Sequence, residues 1–247
     1  MTIVGADVGG TFTDLVAITE GRVTSLKLPT SSPQSTAVAE GTAHLAGAGS
    51  VGTLVHGTTV ATNALLERAG ATTALVTDQG FEDVLEIGRQ HRPSLYDPDV
   101  DRPLPLVSRS RRVGVEPGDT FDLPTDTEAV AVALIAGHVD AAAEAAIAAE
   151  IERIAPGVPV SLSSVVAPEF REFERISTTV MNAYLTPITA FYLRQLRRQV
   201  VEAGVASTVA VMRSSGGLMS LEAAADLPAA ILLSGPAGGV VAAQRLA

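Results

Sequence analysis

Ile3-Val4-Gly5-Ala6-Asp7-Val8-Gly9-Gly10-Thr11-Phe12-Thr13-Asp14-Leu15-Val16-Ala17-Ile18 is the stretch that decides the fold. An apolar run to Val8 is followed by the small turn Gly9-Gly10-Thr11 and a second alternating run from Thr13. Two short strands joined through glycines make a β-hairpin. Glycine accepts positive φ and lets a ligand approach the backbone. The amides of Gly9, Gly10 and Thr11 can therefore form a concave nest for phosphate oxygens, lined by the hydroxyls of Thr11 and Thr13. Asp7 ends the first strand and is placed to hold Mg2+ through water, because that ion keeps most of its waters. A plain hairpin, whose glycines serve only the turn, is the competing reading of the same residues.

The rest of the composition bounds the class. The chain has 247 residues, room for one large domain or two small ones. Hydrophobic residues make up 47%, which excludes global disorder. Aromatics are only 4% and Trp is absent, so Ala, Val and Leu must fill an α/β core. A formal net charge of -10 argues against nucleic acid as the main partner, because phosphate neutralisation needs a basic face. With no cysteine, a disulfide, a thiolate nucleophile and a cysteine zinc site are all excluded. No basic-then-apolar leader opens the chain and no run is long enough to span a bilayer. The expectation is a cytoplasmic protein with neither nucleic acid nor membrane as partner.

Outward from the hairpin, Glu20-Gly21 turns into a third strand, Val23 to Leu28. Ser35 is expected to cap a helix running to Ala46. Val51 to Val55 reads as a strand that leads into His56-Gly57-Thr58-Thr59, with a helix behind it to about Arg68. A histidine between strand end and helix start is either a ligand contact or a hydrogen-bonded structural residue. After a strand over Ala71 to Thr77 comes a short helix between Gly80 and Gly88. Arg89, His91 and Arg92 then offer a carboxylate or phosphate site, or else ion pairs to Glu82, Asp83 or Glu86. Tyr96 to Thr127 is irregular, with one strand near Val107 to Val115 on which Arg109, Arg111 and Arg112 read as a solvated face. Val130 to Ile135, the helix Ala141 to Ile154 and Val158 to Leu162 form a β-α-β unit with a parallel strand pair. A long helical region from Pro168 divides or kinks at Pro187. On it Arg171, Glu174, Arg175 and Thr178 share one face, as surface ion pairs or, for Arg175 or Asn182, at a substrate cleft. The glycines of Ser214-Ser215-Gly216-Gly217 allow a ligand near the backbone. Gly235 and Gly238, opening the last helix, permit close packing or close ligand approach.

Six blocks carry a family resemblance. They are Asp7-Val8-Gly9-Gly10-Thr11-Phe12-Thr13-Asp14, His56 to Ala64, Gly80 to Arg89, Arg171-Glu172-Phe173-Glu174-Arg175, Ser215-Gly216-Gly217-Leu218 and Ser234-Gly235-Pro236-Ala237-Gly238-Gly239. In this order they resemble the hydantoinase A/5-oxoprolinase family, N-terminal part, of the actin-like ATPase superfamily. The resemblance implies an α/β fold: an actin-like, ribonuclease H-like lobe with a mixed β-sheet flanked by helices, plus an inserted α/β segment. The regions expected are 1–95 for the first sheet and phosphate hairpin, 96–165 for the insertion and 166–247 for the helical return and connecting helix. The stretch from Gly114 to Val130 is shorter than family members usually show, with a helix reduced or lost. No role is carried over to His138 or Glu144.

The resemblance further implies ATP-dependent opening of a cyclic amide, hydantoin or 5-oxoproline, by phosphoryl activation of its carbonyl. In that picture Asp7 holds Mg2+; Gly9, Gly10, Thr11, Thr13, Gly216, Gly217, Gly235 and Gly238 surround ATP; and Asp14, His56 and Arg89 serve the chemistry. Thr58, Thr59, Asn63 and Arg92 would meet the substrate. Asp-x-Gly-Gly-Thr occurs once, at Asp7, whereas the superfamily clamps ATP between two lobes. A second lobe or a hydantoinase B-like subunit is therefore an expected partner, and self-association is a further option. Two alternatives follow: a non-catalytic lobe that binds a partner chain, and a subunit of an ATP-dependent ketone carboxylase. The His56 and Arg89 blocks disfavour an actin-fold sugar or acyl kinase.

Overall fold

The computed structural model describes residues 2–47, 49–97, 99–116 and 118–246. They form two compact units: residues 1–67 together with 188–247, and residues 68–187. The boundaries drawn from sequence at 95 and 165 both fall inside the second unit.

The first unit is built on a six-stranded mixed sheet of order β10-β9-β4-β1-β2-β3. Strands β1 (Thr2–Val8), β2 (Phe12–Thr19) and β3 (Arg22–Pro29) form an antiparallel meander. On the other side of β1, β4 (Val51–Thr58) and β9 (Ala206–Met212) run parallel, and β10 (Leu218–Ser220) closes the edge antiparallel. Alternation does the sorting. Val4, Ala6 and Val8 of β1 and Thr13, Leu15 and Ala17 of β2 are buried, while Ile3, Asp7, Asp14 and Val16 face out. Helix α1 (Gln34–Ala46) covers the buried face. It packs so closely that a Cβ on Gly41 would stand 2.6 Å from Leu15 Cδ1. Ser35 does not cap α1. It lies inside the helix, whose N-cap residue is Pro33; two residues before that, the Ser31 hydroxyl accepts the Ala37 amide at 3.0 Å. Helix α2 (Val60–Leu66) follows β4.

The second unit has a four-stranded, all-parallel sheet of order β6-β5-β7-β8. Its strands are β5 (Thr73–Asp78), β6 (Arg112–Val115), β7 (Ala129–Val132) and β8 (Val160–Leu162). Parallel strands are buried on both faces, and two apolar clusters reflect this. One joins Leu75, Ala129 and Ala131 to Ile176 and Val180, with Val84 and Leu85 of α3 (Val84–Ile87). The other joins Val76, Val130 and Val132 to Ile147 and Ile151 of α4 (Ala141–Ile154), with Phe121 and Leu123. Between β6 and β7 no helix occurs among the described residues, as the short 114–130 stretch suggested.

Three expectations change here. Arg112 is not on a solvated face: its side chain is 1% exposed, and its guanidinium meets Glu86 at 2.7 Å and the Val107 carbonyl at 3.1 Å. Pro187 does not divide the long helix, because α6 runs unbroken over Glu172–Arg197 and ends in a π-helical turn, Arg198–Glu202. Arg175 is not a surface residue. It is fully buried, and its guanidinium donates to the carbonyls of Leu134 (2.9 Å), Ile135 (2.7 Å) and Glu169 (2.6 Å). Asn182 is buried too and donates to Ser161 Oγ at 3.0 Å. The sequence reading also left out α5 (Ser163–Val166) and β10, each too short to show a period. Helices α7 (Leu221–Asp226) and α8 (Ser234–Leu246) complete the first unit.

Candidate functional site

The site starts from register. Asp7 stands opposite Asp14 across the β1–β2 ladder and beside Gly57 across the β1–β4 ladder. A Cβ on Gly57 would lie 2.7 Å from Asp7 Oδ1, and one on Gly235, at the start of α8, 3.2 Å away. Glycine at both positions leaves the carboxylate its space. No hydrogen bond or ion pair to the Asp7 carboxylate occurs among the described residues. Its pKa lies above the ordinary carboxylate value of 3.8, first because partial burial penalises the charge and second because Asp14 faces it. An exposed carboxylate without a partner, beside a second negative charge, favours a cation. Asp14 has one already: Lys27 Nζ sits 2.9 Å and 3.0 Å from its two oxygens and 5.0 Å from the centre of the Phe12 ring.

The hairpin turn contributes free donors. Gly9 N donates to Phe12 O at 2.9 Å and closes the turn, whereas the amides of Gly10 and Thr11 donate to no carbonyl among the described residues. Neither Gly9 nor Gly10 has positive φ. Gly9 is needed for close approach instead, since a Cβ there would stand 3.1 Å from Phe12 O. Thr13, expected to line the nest, has a fully buried side chain whose hydroxyl meets Thr30 Oγ1 at 3.2 Å. Only Thr11 exposes a hydroxyl at the turn.

His56 lies within β4 and is fully buried, so it is no direct substrate contact in this geometry. Its Nε2 meets the Tyr192 hydroxyl at 2.8 Å. Burial lowers its pKa from 6.5 to about 4; the Ala6 backbone, its register neighbour, opposes this without reaching Nδ1 in hydrogen-bond geometry. Burial likewise pushes the Tyr192 hydroxyl up. Both groups are neutral at pH 7. Thr58 and Thr59, expected to meet the substrate, have hydroxyls that bond within the fold. Thr58 Oγ1 accepts the Val60 amide at 3.2 Å, and Thr59 Oγ1 donates to Val8 O at 3.0 Å, so both hydroxyls fix the β4–α2 junction. Asn63 is half-buried on α2.

The remaining glycines separate by cause. Gly216 and Gly217 both have φ of +81° and form the β9–β10 turn, with Gly216 N donating to Arg213 O at 3.1 Å. The left-handed turn accounts for them. A Cβ on Gly238 would meet Met212 Cε at 3.5 Å, an ordinary packing contact. Arg89 and Arg92 belong to the second unit. Arg89 forms a two-pronged ion pair with Glu174 at 2.9 Å and 2.6 Å, which holds the Glu174 carboxyl below its ordinary range. Arg92 has no partner among the described residues and lines a cavity of about 570 Å³ with His91, Arg102 and Phe173.

The site residues missed in the sequence are Gly57, which pattern alone cannot tell from any strand glycine, and Tyr192, whose partner lies 136 residues away. No group of three His, Cys, Asp or Glu suited to a metal occurs among the described residues. One or two carboxylates plus phosphate oxygens suffice for Mg2+, however, and Asp7 fits that role.

This sheet order with its glycine hairpin is that of the actin-like ATPase fold. A model of the hydantoinase/oxoprolinase N-terminal region matches residues 3–224, and the chain belongs to that family. The uncharacterized protein MJ0964 of Methanocaldococcus jannaschii is 36% identical over 97% of this chain and 39% of its own length. The caprolactamase alpha subunit of Pseudomonas jessenii is 31% identical over 87% of the chain and 35% of its own length. The crystal structure of ATP-dependent caprolactamase from that organism has a TM-score of 0.78 at 28% identity, covering 99% of this chain and 40% of the other. Nucleotide-free acetone carboxylase has a TM-score of 0.81 at 23% identity over the same shares, a likeness of fold alone. The chain thus spans only 39% and 35% of the two relatives' own lengths.

Proposed function

We propose that this chain supplies a phosphate hairpin to an enzyme that uses ATP to open a cyclic amide of the hydantoin or 5-oxoproline type. The observation that carries the reading is Asp7, an unpartnered carboxylate kept clear by Gly57 and Gly235 beside two free hairpin amides. Asp7 would hold Mg2+ through water, and the Gly10 and Thr11 amides would receive phosphate oxygens. ATP supplies the phosphoryl group that turns an amide carbonyl oxygen into a leaving group for water. The chain's own part is positioning and charge neutralisation, which dominate such transfers. Lys27 keeps Asp14 oriented. In the second unit, Arg92 is the cation available to an anionic group of the substrate. A cytoplasmic location fits both the need for ATP and the lack of cysteine.

The test is calorimetric titration of the monodisperse 247-residue chain with Mg-ATP, alongside Asp7→Ala. Micromolar binding that Asp7→Ala abolishes is the expected result. Unchanged affinity in the variant would remove Asp7 from the site. A second reading, a lobe or subunit that acts only with a partner chain, is favoured by two facts. A relative is called subunit alpha, and the chain covers 35% of that relative's length. Under it the folded chain alone binds no nucleotide and gains binding when a second lobe or partner subunit is added. A ketone carboxylase subunit is then separated from an amide hydrolase by which substrate stimulates ATP turnover.

A further inference from the structure

The all-parallel sheet of the second unit reverses its winding at β5. From β5 the chain passes to β6 on one side, then returns past β5 to β7 and β8 on the other. The β5–β6 connection packs Val84 and Leu85 on one face, while α4, which follows β7, packs on the opposite face. Connections that leave adjacent strands toward opposite faces open a crevice at the strands' carboxyl ends, where ligands of α/β proteins bind. Here that crevice is real. A cavity of about 480 Å³ opens beside the ends of β5 and β6, between α4 and the segment after β6. The volume is in the range of small-molecule sites.

The cavity lies where the β6–β7 crossing has no helix among the described residues. Phe121 and Leu123 cover part of the face that a helix would cover, and Ile147 of α4 is left lining the gap with Phe121 and Leu134. The walls are apolar and the mouth is acidic. Asp78, at the end of β5, is fixed there: its Oδ2 accepts the Ile135 amide at 2.6 Å, which bridges the reversal point, and its Oδ1 accepts no hydrogen bond among the described residues. Glu116, Asp119 and Glu150 also line the cavity, and the single basic residue, Arg153, is tied to Glu150. The start of α4, which elsewhere would attract an anion, is capped by Asp140, whose side chain accepts the Ala142 amide. The charged lining is therefore mainly acidic, four carboxylates against one guanidinium that is already paired.

We infer that this crevice is a binding site for an organic ammonium ion: an apolar body against Phe121, Leu134 and Ile147, with the cation on Asp78. Ammonium binding there does not depend on the proposed reaction. The test is titration of the 247-residue chain, followed by two-dimensional NMR, with 3-phenylpropylammonium and, as its charge-reversed control, 3-phenylpropionate. The expected result is saturable binding of the ammonium, with shifts confined to residues around Asp78 and α4, and binding of the carboxylate at least tenfold weaker. Asp78→Asn keeps an acceptor for the Ile135 amide and should weaken the ammonium at least tenfold. Ala146→Trp, at an exposed position of α4, should fill the cavity and remove binding without touching the core. Equal binding of both probes, no saturable binding by the folded chain, or unchanged affinity in both variants would overturn the assignment.

Discussion

At the scale of single residues, two titratable groups oppose each other in what they do to the fold. Asp7 ionises less readily in the folded chain than in the unfolded one. The folded state therefore holds its proton to higher pH, and the charged form costs stability above the ordinary value of 3.8. Asp7→Asn should leave the protein slightly more stable at pH 7, by up to about 2 °C in Tm, and on the proposed reading it also removes nucleotide binding. A drop in Tm would mean that the carboxylate is held by attraction rather than tolerated. His56 works the other way: its folded pKa of about 4 lies below 6.5, so the unfolded chain takes the proton first. Stability present above pH 6.5 is lost as the pH falls toward 4, by roughly 3 kcal/mol in all. Urea unfolding between pH 7 and pH 4 should show this slope, and His56→Gln should flatten it. An unchanged slope in the variant would assign the acid sensitivity elsewhere. The sequence places His56 beside a glycine and two threonines but not its burial, because burial depends on Tyr192, far along the chain.

At the scale of elements, legibility follows how local the cause is. The hairpin, α4 and the β7–β8 pair are readable because alternation and an alanine-rich run are each written in one short stretch, whereas the Asp140 cap of α4 emerged only in the structure. The cradle of Asp7 is not, since it needs three separated pieces: β1, β4 and the start of α8. The same holds for Arg175 and Glu144, whose charges look like surface charges in a list of helical neighbours. In the fold Glu144 is fully buried and accepts from Leu134 N at 3.0 Å, Ser164 N at 2.8 Å and the Ser163 hydroxyl, so one carboxylate joins the ends of β7 and β8. Arg175 fixes α6 to the stretch after β7 through the Leu134 and Ile135 carbonyls, and to the segment before α6 through the Glu169 carbonyl. Removing either side chain strands buried polar groups. Arg175→Leu should cost about 3–5 kcal/mol in denaturant unfolding. Arg175→Lys should recover little of it, because one ammonium lacks the planar fork that reaches all three acceptors. A cost below about 1 kcal/mol would mean that water replaces those carbonyl contacts.

At the scale of the whole molecule, the two units differ in how they are encoded. The first is assembled from two separate stretches, and β9, which pairs with β4, comes from the later one. Its sheet cannot form until residues far apart in sequence meet, a loop closure that is costly in entropy. The second unit is one continuous segment, 68–187, with apolar clusters on both faces of its own sheet. A segment that buries its own core needs no other part of the chain to fold. Residues 68–187 expressed alone should therefore unfold cooperatively in urea and give dispersed amide resonances. Residues 1–67 alone should not, because β4 then lacks β9 and a row of its main-chain groups stays unpaired. If 68–187 instead remained expanded, the buried ends of α6 and β7 would depend on the rest of the chain, and the phosphate hairpin and the acidic crevice would belong to one cooperative unit. If it folds, the two sites can vary independently: a substitution at Asp78 should leave the hairpin's stability unchanged, and one at Asp7 should leave the crevice's ammonium affinity unchanged.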